Sequence, residues 1–182
     1  CSGGAHPDFP DQQRVAGTRI PTFDEVLALA PLGNFQFNIE IKSSPKQPQY
    51  TPAPEEFARM VAAAIRKHKL EKRVMVQSFD FRPLVAMRKV APEIRLSALT
   101  AFDQRPFAAI IADAGNAEMI SPRSVLVTPE KVREAHRAGL LVIPWTVNEE
   151  AGWEKLIEAQ VDAIITDDPA ALIAYLKKKG LR

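Results

Sequence analysis

From residue 34 onward the chain repeats one theme: a short apolar run, then a segment with helical periodicity. "NFQFNIEIK" precedes "PEEFARMVAAAIRKHKL", "RVMVQSF" leads to "FRPLVAMRKV", and "IRLSALT" leads to a weaker helical stretch around "PFAAIIADA". "EMISP" is followed by "PEKVREAHRAG", "LLVIPWTV" by "EEAGWEKLIEA", and "VDAIITD" by "PAALIAYLKKKG". Strands that are apolar on both faces and separated by helices pair in parallel, because helical crossovers cover the sheet. Six strands alternating with helices therefore predict an α/β protein, either an open doubly wound sheet or a barrel of eight βα units. No Gly-rich phosphate loop follows any of the strands, which counts against a nucleotide-binding open sheet.

Punctuation residues fix the boundaries. Thr128, Asn148 and Asp168 stand at predicted helix entries, the first and last followed by Pro129 and Pro169, and Gly139 and Gly180 stand at exits. Further upstream, "PTFDEVLALA" reads as a short helix in which Thr22 is the N-cap and Glu25 completes a capping box. In the helix after residue 53, Phe57, Met60, Val61, Ala64 and Ile65 form the predicted buried stripe.

A chain of 182 residues is sized for one core, so residues 1–182 are expected to form a single domain. No apolar run reaches the roughly 18 residues of a membrane span. With 24 basic and 22 acidic residues, no global field points to nucleic acid. The basic clusters "RKHK" at 66–69 and "KKK" at 177–179 fall where helices end, as the helix dipole favours. A single cysteine, Cys1, excludes an internal disulfide framework and a cysteine zinc cluster and fits cytoplasm and periplasm alike. "CSGG" at the start is also compatible with a mature lipoprotein, given a signal peptide upstream.

The segment "NFQFNIEIKSSPKQPQY" raises a chemical question. Phe35, Phe37, Ile39 and Ile41 supply one strand face, and Asn38, Glu40 and Lys42 share the other. The loop after it, "SSPKQPQYTPAP", is long for a strand-to-helix connection, which marks a candidate functional loop. In a (β/α)8 barrel the carboxyl ends of the strands build the site, and here they carry Glu40, Lys42, Gln77, Ser78, Phe79, Thr100, Ser121, Trp145, Thr146, Asn148, Thr166 and Asp167. If Glu40 and Lys42 are buried, each needs a partner: a divalent cation for the carboxylate, a phosphate for the ammonium, or each other. Gln77 suits a hydrogen bond to substrate, Phe79 and Trp145 suit pocket walls, and Asn148 suits either a helix cap or a substrate contact.

"NIEIK", "VQSFD", "ISP", "AHRAGLLVIPWTVN" and "VDAIITDDP", preceded by "GTRIPTFDEVLAL", match in order and spacing the later strands of the glycerophosphodiester phosphodiesterases, and the chain resembles that family over nearly its whole length. The resemblance implies a TIM (β/α)8 barrel that hydrolyses glycerophosphodiesters to an alcohol and glycerol 3-phosphate. It implies that Glu40 is a ligand of a divalent cation, calcium or magnesium, and that Lys42 lies beside the phosphate as a catalytic and substrate-binding residue. The family also carries an "HRG" histidine, an "E.D" pair and an "HD" histidine on its first two strands, and none of these motifs occurs in this sequence.

His6, His68 and His136 do not replace them, because none stands at a strand's carboxyl end. Six strands cannot close an eight-stranded barrel, so the chain reads as the later three quarters of one, with two strands upstream and no hydrolysis expected from these 182 residues alone. The implied partner is a small glycerophosphodiester, with no nucleic acid and no stable membrane insertion. Two further readings stay open: a Schiff-base aldolase using Lys42, and a non-catalytic barrel that binds phosphate esters.

Overall fold

The structure, a computed structural model, describes residues 15–181 and falls into two compact units, Cys1–Gly33 and Asn34–Arg182. Cys1 and His6, and with them the lipoprotein reading, lie outside the described residues. In the first unit, helix α1 (Phe23–Leu27) opens with the expected capping box: Glu25 N–H donates to Thr22 Oγ1, and Thr22 N–H donates to the Glu25 carboxylate. Arg19 pairs with the same carboxylate and, with the Thr22 bonds, holds its pKa down at about 2.

The second unit is a five-stranded parallel sheet with helices between consecutive strands. Its elements run β1 (Phe37–Glu40), α2 (Pro54–Lys67), β2 (Val74–Ser78), α3 (Phe81–Val90), β3 (Arg95–Thr100), α4 (Phe107–Asp113), β4 (Met119–Pro122), α5 (Pro129–Arg137), β5 (Leu141–Val142), α6 (Glu150–Glu158) and α7 (Pro169–Lys178). The strand order is β1-β2-β3-β4-β5, and every neighbouring pair is parallel. Parallel crossovers are right-handed, so a sheet whose strands follow one another without reversal places all its helices on one face. That is the winding of a barrel. A doubly wound sheet reverses its strand order and covers both faces, and no reversal occurs here.

Register assigns side chains to the two faces, because residues paired across a parallel ladder point the same way. Val74 and Val76, Leu96 and Ala98, Ile120, and Val142 share one face and are fully buried. They make the apolar layer under the helices. The other face carries Asn38 and Glu40 from β1, Gln77 from β2, Ser97 and Leu99 from β3, and Met119 and Ser121 from β4. This is the concave, inner face of the partial barrel.

The expected sixth strand, "VDAIITD", is not a regular strand. It runs beside β5 through Asp162 N–H to Val142 O (3.0 Å), Ile165 N–H to Pro144 O (2.9 Å) and Val147 N–H to Ile165 O (3.0 Å). The spacing advances three residues on one side for two on the other, a bulged pairing that breaks the ladder. β5 itself is also shorter than predicted, continuing past Val142 only as an isolated pairing of Trp145 with Arg123. Ile143 N–H donates to Ile120 O (2.8 Å) and Trp145 N–H to Pro122 O (3.1 Å), but Pro122 has no N–H to complete the next rung from the β4 side, which explains the interruption.

Two local expectations are corrected. Helix α2 buries Ala58, Val61, Ala62 and Ile65, whereas Met60 is exposed and Phe57 and Ala64 are half-buried. The buried stripe is thus centred about one residue away from the predicted one. Asn148 is not the cap of α6: Glu149 holds that position, and no side chain caps it. Thr128 and Asp168 do cap their helices, accepting from Lys131 N–H (3.3 Å) and Ala171 N–H (2.9 Å), and Gly139 and Gly180 leave α5 and α7 with φ of 74° and 71°.

Candidate active site

At the carboxyl end of β1 the alternation of the strand sets the chemistry. Phe37 and Ile41 point into the helix layer and are buried, and Asn38, Glu40 and Lys42 take the opposite side. Register puts Glu40 directly opposite Gln77 and Gln77 opposite Ser97, so the three stand side by side on the inner face. Glu40 and Lys42 line one cleft of about 370 Å³ together with Ser43, Ser44, Gln47, Tyr50, Thr51 and Phe79. The predicted functional loop, residues 43–54, supplies most of that lining.

Three hydrogen bonds bracket Lys42. On one side, Ser78 Oγ donates to Ile41 O at 2.6 Å. On the other, Ser43 Oγ donates to the Asp80 carboxylate at 2.9 Å. Asp80 N–H in turn donates to Ser78 Oγ at 3.1 Å. The residues flanking Lys42 are therefore pinned to the turn between β2 and α3, while the lysine side chain is left in the cleft. Asp80 also caps α3, accepting from Arg82 N–H at 3.2 Å, and pairs with the Arg82 guanidinium at 2.6 Å. The Arg82 guanidinium beside Asp80 holds its carboxyl below the usual range, against the opposing effect of burial. Sequence reasoning missed this bracket, although an Asp directly before "FRPLVAMRKV" is a legible N-cap signal.

Neither Glu40 nor Lys42 is buried, which corrects the expectation that desolvation alone forces a partner on them. Nor do they pair with each other or with any other described residue. A structural ion pair is therefore not the reason for their placement. β1 pairs only with β2 among the described residues, and the exposure of Asn38 and Glu40 follows from that free edge. Deeper in the sheet the same face is closed: Gln77, Ser97 and Ser121 are buried, and the Ser97 and Ser121 hydroxyls bond at 2.8 Å.

Gln77 carries a buried Oε1 with no partner among the described residues, a donor-seeking oxygen next to Glu40. Phe79 and Trp145 meet edge to face, centroids 5.4 Å apart, and the Trp145 indole N–H donates to Ser121 O at 2.8 Å. That bond engages the indole donor within the protein, and Trp145 reaches the cleft only through Phe79. Asn148 is engaged within its own loops. Its Nδ2 donates to Asp167 (2.8 Å), and its Oδ1 accepts from Thr166 Oγ1 (3.0 Å) and Asp167 N–H (2.9 Å). It is not among the cleft's lining residues.

His68 ends α2, and His136 on α5 pairs with Asp162 at 2.9 Å, so neither joins the cleft. Among the described residues no group of three or more His, Cys, Asp or Glu side chains could hold a metal ion. Glu40 is one hard carboxylate donor, open to the cleft, and fits as a single ligand; no second carboxylate among the described residues joins it in the cleft.

A parallel, singly wound sheet with a carboxylate and an ammonium in one cleft at its carboxyl end has the layout of a TIM-barrel site. Comparison with known proteins makes this specific: the Glycerophosphoryl diester phosphodiesterase family matches residues 5–171, and the chain belongs to that family. A glycerophosphodiester phosphodiesterase of Caldanaerobacter subterraneus subsp. tengcongensis is 34% identical over 169 residues, covering 92% of this chain and 66% of the relative. One from Bacillus subtilis is 29% identical, covering 97% of this chain and 59% of its own length.

A Silicibacter pomeroyi crystal structure assigned as a glycerophosphoryl diester phosphodiesterase superposes with a TM-score of 0.86 at 32% identity, over 96% of this chain and 62% of that one. An Oleispira antarctica phosphodiesterase, solved in complex with the product sn-glycerol-3-phosphate, shares the fold at a TM-score of 0.75 and 18% identity, over 86% of this chain and 61% of that one. The chain thus spans about two thirds of the length of the relatives it matches.

Proposed function

We propose that this chain is the later part of a glycerophosphodiester phosphodiesterase barrel, hydrolysing glycerophosphodiesters to an alcohol and glycerol 3-phosphate once the preceding strands complete the ring. The observation that carries the reading is the placement of Glu40 and Lys42. Both lack an ion-pair partner among the described residues and share one cleft at the carboxyl end of the sheet, and hydrogen bonds tether the residues on either side of the lysine. Lys42 is assigned to the phosphate, where its ammonium stabilises negative charge that builds on the phosphoryl oxygens. Glu40 is assigned as one carboxylate ligand of a divalent cation, calcium or magnesium, the other ligands lying on the missing strands. Such a cation, when bound, polarises a phosphoryl oxygen.

Gln77 Oε1 is free to accept a bond from a substrate hydroxyl or a coordinated water, and Phe79, backed by Trp145, forms the apolar wall beside the glycerol or head group. Asn148 is assigned to holding the 166–168 loop at the rim, within reach of substrate only through that loop. Following the family resemblance, the general acid and base are assigned to histidines of the preceding strands, in keeping with neither His68 nor His136 lining the cleft. The free edge of β1 is where those strands would pair.

The test is release of glycerol 3-phosphate from glycerophosphocholine by the protein as its gene encodes it. The reading expects turnover that a chelator abolishes, a loss of about 10²-fold or more in kcat for Lys42→Ala, and a similar loss for Glu40→Gln. Wild-type rates in either variant would overturn the assignment.

A further inference from the structure

We propose that the cleft mouth docks on an anionic lipid surface through the loops that follow β1 to β4. Among the described residues of the sheet unit, the apolar side chains more than 70% exposed are Tyr50 (73%), Phe102 (81%) and Val125 (72%). Each stands on a different strand-to-helix loop: Tyr50 between β1 and α2, Phe102 between β3 and α4, Val125 between β4 and α5. Elsewhere in that unit exposure of large apolar residues reaches only 57%, at Leu181 after α7. Because the strands are neighbours in sequence order, these loops are neighbours along one rim, with Phe79 of the intervening loop also partly exposed. Singly scattered apolar residues need no explanation, but the three most exposed ones gathered on one rim do.

Charge favours a lipid surface over a second copy of the chain. Lys42, Lys46 and Arg123 project from the same loops and have no carboxylate partner among the described residues. Residues 43–53 and 123–128 contain no acid at all, and Arg105 of the third loop is already neutralised by Asp103 and Asp113. On the same half Asp80 and Asp103 are each paired with an arginine and Glu40 faces the cleft, while Glu149, Glu150, Asp167 and Asp168 lie on the side of β5 and the segment after it, so the cationic and aromatic half would meet the membrane. A tyrosine, a phenylalanine and a valine entering the headgroup boundary between unpaired cations match the composition of interfacial anchors. No described helix is long and apolar enough to cross a membrane, so the association is peripheral. It stands or falls separately from the proposed hydrolysis.

The experiment is co-sedimentation of the protein as its gene encodes it with vesicles of phosphatidylcholine, with and without phosphatidylglycerol. The proposal expects pelleting with phosphatidylglycerol vesicles, weakened by high salt and by omission of the anionic lipid. Phe102→Ser with Val125→Ser should lower partitioning by about tenfold or more, and Lys46→Ala by about fivefold. These side chains are exposed, so thermal melts of the variants should match wild type. Absence of pelleting, or unchanged pelleting of the double variant, overturns the proposal. So does a wild-type dimer in sedimentation velocity that the double variant breaks while vesicles are ignored, which would assign the patch to a second copy.

Discussion

Asp80→Ala tests whether the bracket around Lys42 has the strength the geometry implies. The substitution removes the α3 cap to Arg82 N–H, worth about 1 kcal/mol. It removes the acceptor for Ser43 Oγ, worth about another 1 kcal/mol. It also removes the Arg82 ion pair, which is half solvated on the arginine side and so adds only about 0.5 kcal/mol. The sum is roughly 2–3 kcal/mol, or a fall of about 5–10 °C in Tm for a domain of this size. Asp80→Asn keeps a side-chain acceptor for both neutral donors and should lose less than half as much.

The pH dependence has a definite sign. The folded-state pKa of Asp80 is depressed, so its contribution is complete above the ordinary aspartate value of about 4 and is lost as pH falls through the lower folded value. Urea denaturation across that range should show a smaller acid-induced loss in Asp80→Ala than in wild type. Equal stability of Asp80→Ala and wild type, or equal losses in the alanine and asparagine variants, would refute the reasoning.

Gly152→Ala sets helix propensity against packing: alanine gains about 1 kcal/mol within α6, but its Cβ would stand 2.4 Å from Val147 Cγ1. A net loss of about 1–3 kcal/mol is expected in a thermal or urea melt, and a stabilised variant would contradict it. The 182-residue chain alone should show no glycerol 3-phosphate release above background, because Glu40 is the sole carboxylate in its cleft. An assay of glycerol 3-phosphate coupled to its dehydrogenase, run on that chain with glycerophosphocholine and added calcium or magnesium, checks this.

The parallel pairing was legible because the strands and helices alternate without interruption, and capping residues such as Thr22, Thr128 and Asp168 mark their boundaries by local chemistry; the single winding was not, since alternation fits an open sheet equally well, and the barrel came from the family resemblance. The placement of Glu40 and Lys42 on one side of β1 was legible from the strand's period of two. Their exposure was not, since burial of a strand face depends on what pairs with its edge, and β1 has a free one. The last strand was misread because "VDAIITD" has strand composition but pairs with β5 across a bulge beside Pro144. Asn148 was misread as a cap because its amide is taken by Thr166 and Asp167, 18 and 19 residues away, a contact that no local pattern encodes. The links from Ser43 to Asp80 and from Ser78 to Ile41 join residues 37 apart and were invisible for the same reason.

A crystal structure of the complete protein soaked with glycerol 3-phosphate and calcium tests most directly whether the two charges of β1 define the reaction centre. The account predicts the phosphate within hydrogen-bonding distance of Lys42 Nζ, a cation bound to a Glu40 carboxylate oxygen, and the glycerol against Phe79. A phosphate bound away from this cleft, with Lys42 and Glu40 touching neither ligand, would contradict it.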